Sequence, residues 1–99
     1  MVMTTVAKRT EAQRLARKIV AARLAACVQT MPIRSVYRWQ GRVESAAEHL
    51  LLVKTRAALA KPLTAFIRKH HTYQVPEIVT VPVTGGLPAY LRWLADETA

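Results

Sequence analysis

Within one short stretch, His70, His71 and Glu77 offer two imidazoles and a carboxylate. Nitrogen and oxygen donors of this kind bind copper or zinc without thiolate, and three ligands from one loop leave a coordination position open. The same residues also have a structural reading. His70 would end a helix, where positive charge is favourable, and His71 and Glu77 would hydrogen-bond to fasten the loop. The one cysteine, Cys27, cannot form an internal disulfide or a multi-cysteine zinc cage. Set among apolar residues, it is expected to be a small buried hydrophobe, not a ligand or reactive thiol. Glu48 and Lys54 share parity on an apolar extended run and so lie on one of its faces, where they line a cleft or join a surface or interface ion pair. His49 has the opposite parity and is expected to be hydrogen-bonded or interfacial. Tyr37, Trp39, Tyr73, Tyr90 and Trp93 hold nearly all the aromatic content, and packing at subunit interfaces is expected of them before stacking on a ligand. There is no nucleophile beside a base, no cofactor fingerprint and no carboxylate pair at a useful spacing, so an enzyme is not expected.

These side chains must be held by elements whose signals run the length of the chain. Met1 to Val6 reads as a first strand. Thr10-x-x-Gln13 reads as a capping box that opens a helix, with Ala12, Leu15, Ala16, Ile19, Val20 and Leu24 as its buried stripe. Cys27 to Met31 suits a strand, Pro32 interrupts it, and Ser35 to Gln40 resumes the alternation. Gly41 stands where a hairpin must turn, and Glu48 to Thr55 is a β-branched, apolar return strand. Leu59, Leu63, Phe66 and Ile67 form a second helical stripe, with Pro62 in the first turn and the end near His70. Ile78 to Val83 reads as the last strand, Gly85-Gly86 turns the chain, and Leu87, Tyr90, Leu91 and Leu94 mark a terminal helix. The order β-α-β-β-α-β with an added helix predicts an α+β, ferredoxin-like sandwich forming one domain over residues 1–99.

The composition narrows the class. Half the residues are hydrophobic, enough for one core in 99 residues, and no apolar run approaches the length of a membrane span. With no signal-peptide pattern and a single thiol, a cytoplasmic protein is expected. Fifteen Lys and Arg against six Asp and Glu give a net charge of +9. They are dispersed along the chain, which fits solvated faces better than a polyanion site, so any nucleic-acid binding should be weak and salt-sensitive.

Five stretches in order carry a resemblance: Arg23 to Val28, Ser35-Val36-Tyr37-Arg38-Trp39-Gln40-Gly41, Leu51 to Thr55, His70-His71-Thr72-Tyr73-Gln74-Val75-Pro76-Glu77-Ile78, and Tyr90-Leu91-x-Trp93-Leu94. Together they cover nearly the whole chain and resemble the CutA family. The resemblance implies a ferredoxin-like subunit, a tightly packed homotrimer, and a non-catalytic role in tolerance of copper and other divalent cations. Two departures bear on the metal. The family usually reads His-Pro-Tyr-Glu where this chain has His71-Thr72-Tyr73-Gln74, and some members carry a cysteine where alignment places Thr4.

Two other readings belong to different classes. One is a trimeric nucleotide- or small-molecule-sensing protein of the nitrogen-regulatory type, by analogy of fold alone. Gly85-Gly86 is too short a signal for a phosphate loop. The other is an RNA-binding module on the same fold, disfavoured because Glu48 to Thr55 lacks the aromatic platform such modules stack bases on.

Overall fold

The computed structural model describes residues 1–99. Four strands, β1 (Val2–Val6), β2 (Cys27–Trp39), β3 (Arg42–Lys54) and β4 (Ile78–Thr80), form an antiparallel sheet in the order β2-β3-β1-β4. Helices α1 (Arg9–Ala21) and α2 (Ala60–His70) follow β1 and β3, and α3 (Pro88–Asp96) closes the chain. This is the α+β, ferredoxin-like arrangement expected from the element order.

The register explains the core. Val2, Thr4 and Val6 of β1 stand opposite Val53, Leu51 and His49 of β3, so these side chains share one sheet face. That face meets Ala12, Leu15 and Ile19 of α1 and Leu63 and Ile67 of α2, all buried in one hydrophobic cluster. Burying a leucine- or isoleucine-sized side chain contributes about 1.5–3 kcal/mol, so this cluster is what holds the helices to the sheet. The opposite face carries Met3, Thr5, Glu48, Leu50, Leu52 and Lys54 and has no helix of α1 or α2 against it.

Four details differ from the sequence expectations. Pro32 does not interrupt β2, which runs unbroken with Pro32 paired to His49. β2 is an edge strand, and a proline whose missing N–H points away from the ladder costs no hydrogen bond there. The capping box does not form: α1 begins at Arg9, with Lys8 as a cap that makes no side-chain bond. The Lys8 carbonyl instead accepts the Ala12 N–H at 3.1 Å, which places Thr10 inside the first turn. β4 stops at Thr80, although Met1 and Val81 exchange backbone bonds of 2.7 and 3.0 Å before Pro82 ends the pairing. Val20, expected in the α1 stripe, is exposed in the protomer, because the buried positions 12, 15 and 19 leave it on the flank of the helix.

The hairpin itself follows the sequence closely. Gln40 and Gly41 have φ of 50° and 78°, the two positive values of a type I′ turn, and Trp39 pairs with Arg42 across it. β1 pairs only with residues 49–53 of β3, so the part from Arg42 to Glu48 is held by β2 alone and projects beyond the helices. The molecule is accordingly 44 Å long and 25 Å wide.

Candidate functional site

The loop between α2 and β4 is tied down by three consecutive side chains. His71 donates from Nε2 to the Thr5 carbonyl at 2.7 Å, which joins the loop to the end of β1. Its Nδ1 accepts the Tyr73 N–H at 3.1 Å. A carbonyl can only accept and an amide N–H can only donate, so both partners require the neutral tautomer with its proton on Nε2. Thr72 donates to the Glu11 carboxylate at 3.0 Å, which joins the loop to the first turn of α1. Tyr73 donates from its hydroxyl to Glu48 Oε2 at 2.7 Å, joining it to β3. Burial first, then this hydrogen bond, then the charges of Glu48, Glu11 and Tyr37 push the Tyr73 hydroxyl well above its ordinary value. The bond from Thr72 to Glu11 thus tethers the loop at the position after His71.

The loop and the projecting hairpin border an open cavity of about 600 Å³. Its walls are Thr5 of β1, Ser35, Tyr37 and Trp39 of β2, Glu48 of β3, and Tyr73 and Glu77 of the loop, among others. Residues 35, 37 and 39 share parity with Ile33, the partner of Glu48, so the floor of the cavity is the sheet face away from α1 and α2. Glu48 is only 8% exposed, while Trp39 is 42% and Tyr37 43% exposed at the rim.

The candidate metal ligands are dispersed. No three His, Cys, Asp or Glu residues come together as a metal site within the protomer. His70 ends α2 and is exposed, its ring 4.5 Å from that of Phe66. His71 is half-buried with both ring nitrogens engaged, and Glu77 is exposed at the cavity wall. The residues of one protomer therefore do not fit a three-ligand copper or zinc centre. Thr4 is fully buried against the helices, and its hydroxyl has no partner.

The remaining residues divide between two places. Lys54 shares the Glu48 face, as parity implied, but six residues along β3 it lies about 20 Å away. It borders a second, smaller cavity with Met1, Tyr90 and Leu91. Tyr90 and Trp93 stack at 5.6 Å on α3, and both remain about two-fifths exposed. Cys27 is free and half-buried, and pairs with Lys54 in the ladder, so it lies on the open face and not in the core. His49 is half-buried with Nδ1 unpartnered within the protomer, which leaves the interfacial alternative of the two expected for it. Sequence reasoning missed the link between Tyr73 and Glu48, because nothing local connects a loop tyrosine to a strand carboxylate 25 residues away.

Comparison with known proteins accounts for this arrangement. Residues 1–97 match the CutA1 divalent ion tolerance protein family. The chain belongs to the CutA1 family. It is similar to the divalent cation tolerance protein of Thermus thermophilus, at 42% identity and a TM-score of 0.95, covering 99% of this chain and 96% of that one. It is also similar to the chloroplastic protein CutA of Arabidopsis thaliana, at 46% identity over 99% of this chain and 54% of the relative. A third likeness is to the periplasmic divalent cation tolerance protein CutA of Archaeoglobus fulgidus, at 32% identity, TM-score 0.94, and coverage of 97% and 94%. The chain spans about half the length of several curated relatives it matches. These comparisons overturn the cytoplasmic expectation. Relatives from Arabidopsis thaliana and Oryza sativa are named chloroplastic and the Archaeoglobus protein periplasmic, so the lack of a span and of paired cysteines does not fix a compartment.

Proposed function

We propose that this protein acts as a homotrimer in tolerance of divalent cations, copper first among them, by binding and not by catalysis. The observation that carries the reading is the surface the protomer leaves open. Val36 and Val43 on the projecting hairpin are 70% and 68% exposed, and Tyr37, Trp39, Tyr90 and Trp93 are half-open beside the uncovered sheet face. A hairpin held by a single pair of strands is marginal in water unless its apolar side chains are covered, and a closed ring of copies covers them without leaving an edge. Membership of a divalent-cation tolerance family supports the metal part of the reading.

Since one protomer lacks a three-ligand cluster, copper(II) is bound by exposed donors such as His70 and Glu77 that adjoining protomers bring together, and His71 serves to fasten the loop. Copper stands highest in the divalent affinity order for nitrogen and oxygen donors, so it is preferred to zinc or manganese. Nucleotide sensing is not favoured. The larger cavity is walled by two carboxylates and no lysine or arginine, which repels phosphate.

Light scattering after gel filtration gives the mass of three chains if the reading holds. Calorimetric titration then gives tighter binding of copper(II) than of zinc(II), weakened by His70→Ala and Glu77→Gln. Binding is also weaker at about pH 5.5 than at about pH 7.5, because ligands shed protons on coordination. A monomer at micromolar concentration, or copper binding that neither substitution touches, overturns it.

A further inference from the structure

The outer side of α1 and α2 lies across the sheet from the face left to contact between copies, and it is where the fold gathers the chain's positive charge. Arg14, Arg17 and Lys69 each stand two residues after a buried position, namely Ala12, Leu15 and Ile67, and Lys61 stands two before Leu63. At about 100° per residue this is about 200° round the helix, so all four point away from the sheet. All four are exposed. The bond from Thr72 to Glu11 brings the end of α2 beside the start of α1, so Arg68 and Lys69 join Lys8 and Arg9 there. With Lys18, this layer holds eight of the fifteen lysines and arginines and one of the six acidic residues, Glu11. The other acidic residues lie elsewhere: Glu44 and Glu48 on the hairpin, Glu77 in the loop, Asp96 and Glu97 at the end of α3. The guanidiniums that bond within the chain, those of Arg23, Arg34 and Arg56, also lie off these two helices. Charges that are dispersed in sequence thus form one basic face in the fold.

A face of one sign attracts a polyanion, and its other side chains narrow the kind. Helices that settle on a lipid surface insert an apolar side into it, whereas the apolar stripes of α1 and α2 are buried against the sheet. A single strand gains from aromatic side chains on which bases stack. These helices carry no tyrosine or tryptophan, and Phe66 is packed against the core. Charge alone remains, and charge alone suffices for the phosphate backbone of a duplex, whatever its sequence. The 13 residues of α1 extend about 20 Å, along which a duplex with one phosphate per about 1.7 Å presents several.

We propose that the outer face of α1 and α2 binds the phosphate backbone of duplex nucleic acid, without reading its sequence, through Arg14, Arg17, Lys18, Lys61, Arg68 and Lys69. The arginines supply paired hydrogen bonds to a phosphate and the lysines point charges. The sheet separates this face from the one that copies cover, so it stays open in a monomer and in an oligomer alike. The inference goes beyond cation tolerance and rests on neither the metal nor the trimer.

Fluorescence anisotropy with two short labelled duplexes of unrelated sequence tests it, in EDTA so that no metal bridges protein and phosphate. Both duplexes bind equally at about 50 mM salt, and affinity falls about a hundredfold or more by about 200 mM, because each phosphate contact adds about 0.9 to the salt slope. Arg14→Gln combined with Arg17→Gln keeps good helix formers at exposed positions. It lowers the slope by about 2 and the affinity at about 50 mM salt by about tenfold or more. Arg38→Gln combined with Arg42→Gln removes the same net charge from the hairpin and changes affinity by less than about threefold, since screening limits charges that make no contact. No binding at low salt, unequal binding of the two sequences, or equal losses in the two double variants overturns the proposal. So does tighter binding to vesicles of phosphatidylserine and phosphatidylcholine than to duplex at the same salt, lost in the α1 variant, which assigns the face to a lipid surface.

Discussion

Replacing His71 by alanine separates a loop fastener from a metal ligand, because the two roles predict opposite readouts in the absence of metal. The substitution removes the bond to the Thr5 carbonyl at 2.7 Å and the acceptor of the Tyr73 N–H at 3.1 Å. It also removes a tilted ring contact with Tyr73 at 4.9 Å. Each hydrogen bond contributes about 1 kcal/mol net, and the ring pair adds about 0.5 kcal/mol. Thr5 is 5% exposed, so its carbonyl does not recover a full water bond. The expected loss is about 2.5 kcal/mol per chain, which for a domain of this size lowers the melting temperature by about 10–15 °C. In a trimer both the free-energy loss and the unfolding entropy scale with the number of chains, so the shift per protomer carries over when total concentration is held fixed. The assay is thermal unfolding in EDTA, with amide exchange at Tyr73 as a local readout. Its N–H, protected by the imidazole, should exchange at the rate of an open loop in the variant. A variant that melts with the wild type and keeps Tyr73 protected, yet loses copper, refutes the fastener role and makes His71 a ligand.

Two further predictions rest on separate observations. Tyr73 keeps its proton in the fold well past its ordinary value near 10, so its share of stability is complete below about pH 10 and lost as pH climbs above that. The melting-temperature gap between wild type and Tyr73→Phe should therefore be constant from neutral pH to about 9 and shrink at higher pH. A gap that widens in alkali would show the sign to be wrong. Thr4 is fully buried with an unpaired hydroxyl. Thr4→Val, of nearly the same shape, should raise stability by about 1 kcal/mol in denaturant titration, and a destabilised variant would mean that the hydroxyl has a partner in the oligomer.

Legibility in the sequence tracked the range of the interaction. The type I′ turn was announced by Gly41 because only local backbone conformation is involved, and the end of α2 at His70 by the stripe that stops there. Pro32 misled because its cost depends on whether the strand lies at an edge, and sheet order is a long-range property. The Thr10 signature misled because a capping box needs the chain to enter the helix at Thr10, whereas the turn after β1 delivers it at Arg9. The site was legible in its members and not in its connections. Tyr37, Trp39, Glu48, Tyr73 and Glu77 were all singled out, yet two expectations grouped them by nearness in sequence or strand parity: Glu77 with His70 and His71, and Glu48 with Lys54.

The structure regroups these residues through the fold, and the regrouping changes the chemistry. Strand parity places Glu48 and Lys54 on one face, but six residues of extended chain keep their charges about 20 Å apart, too far to compensate each other across more than a Debye length. The lysine goes to the end of the sheet beside α3, and the glutamate to the end bordered by the loop. The net charge of +9 is thus a poor guide to the cavity. Its local sign is negative because the hairpin buries one carboxylate there and the loop sets a second, exposed one at the wall, with no lysine or arginine beside them. Repulsion of an anion at that point follows from the sign of the wall and not from the sum over the chain.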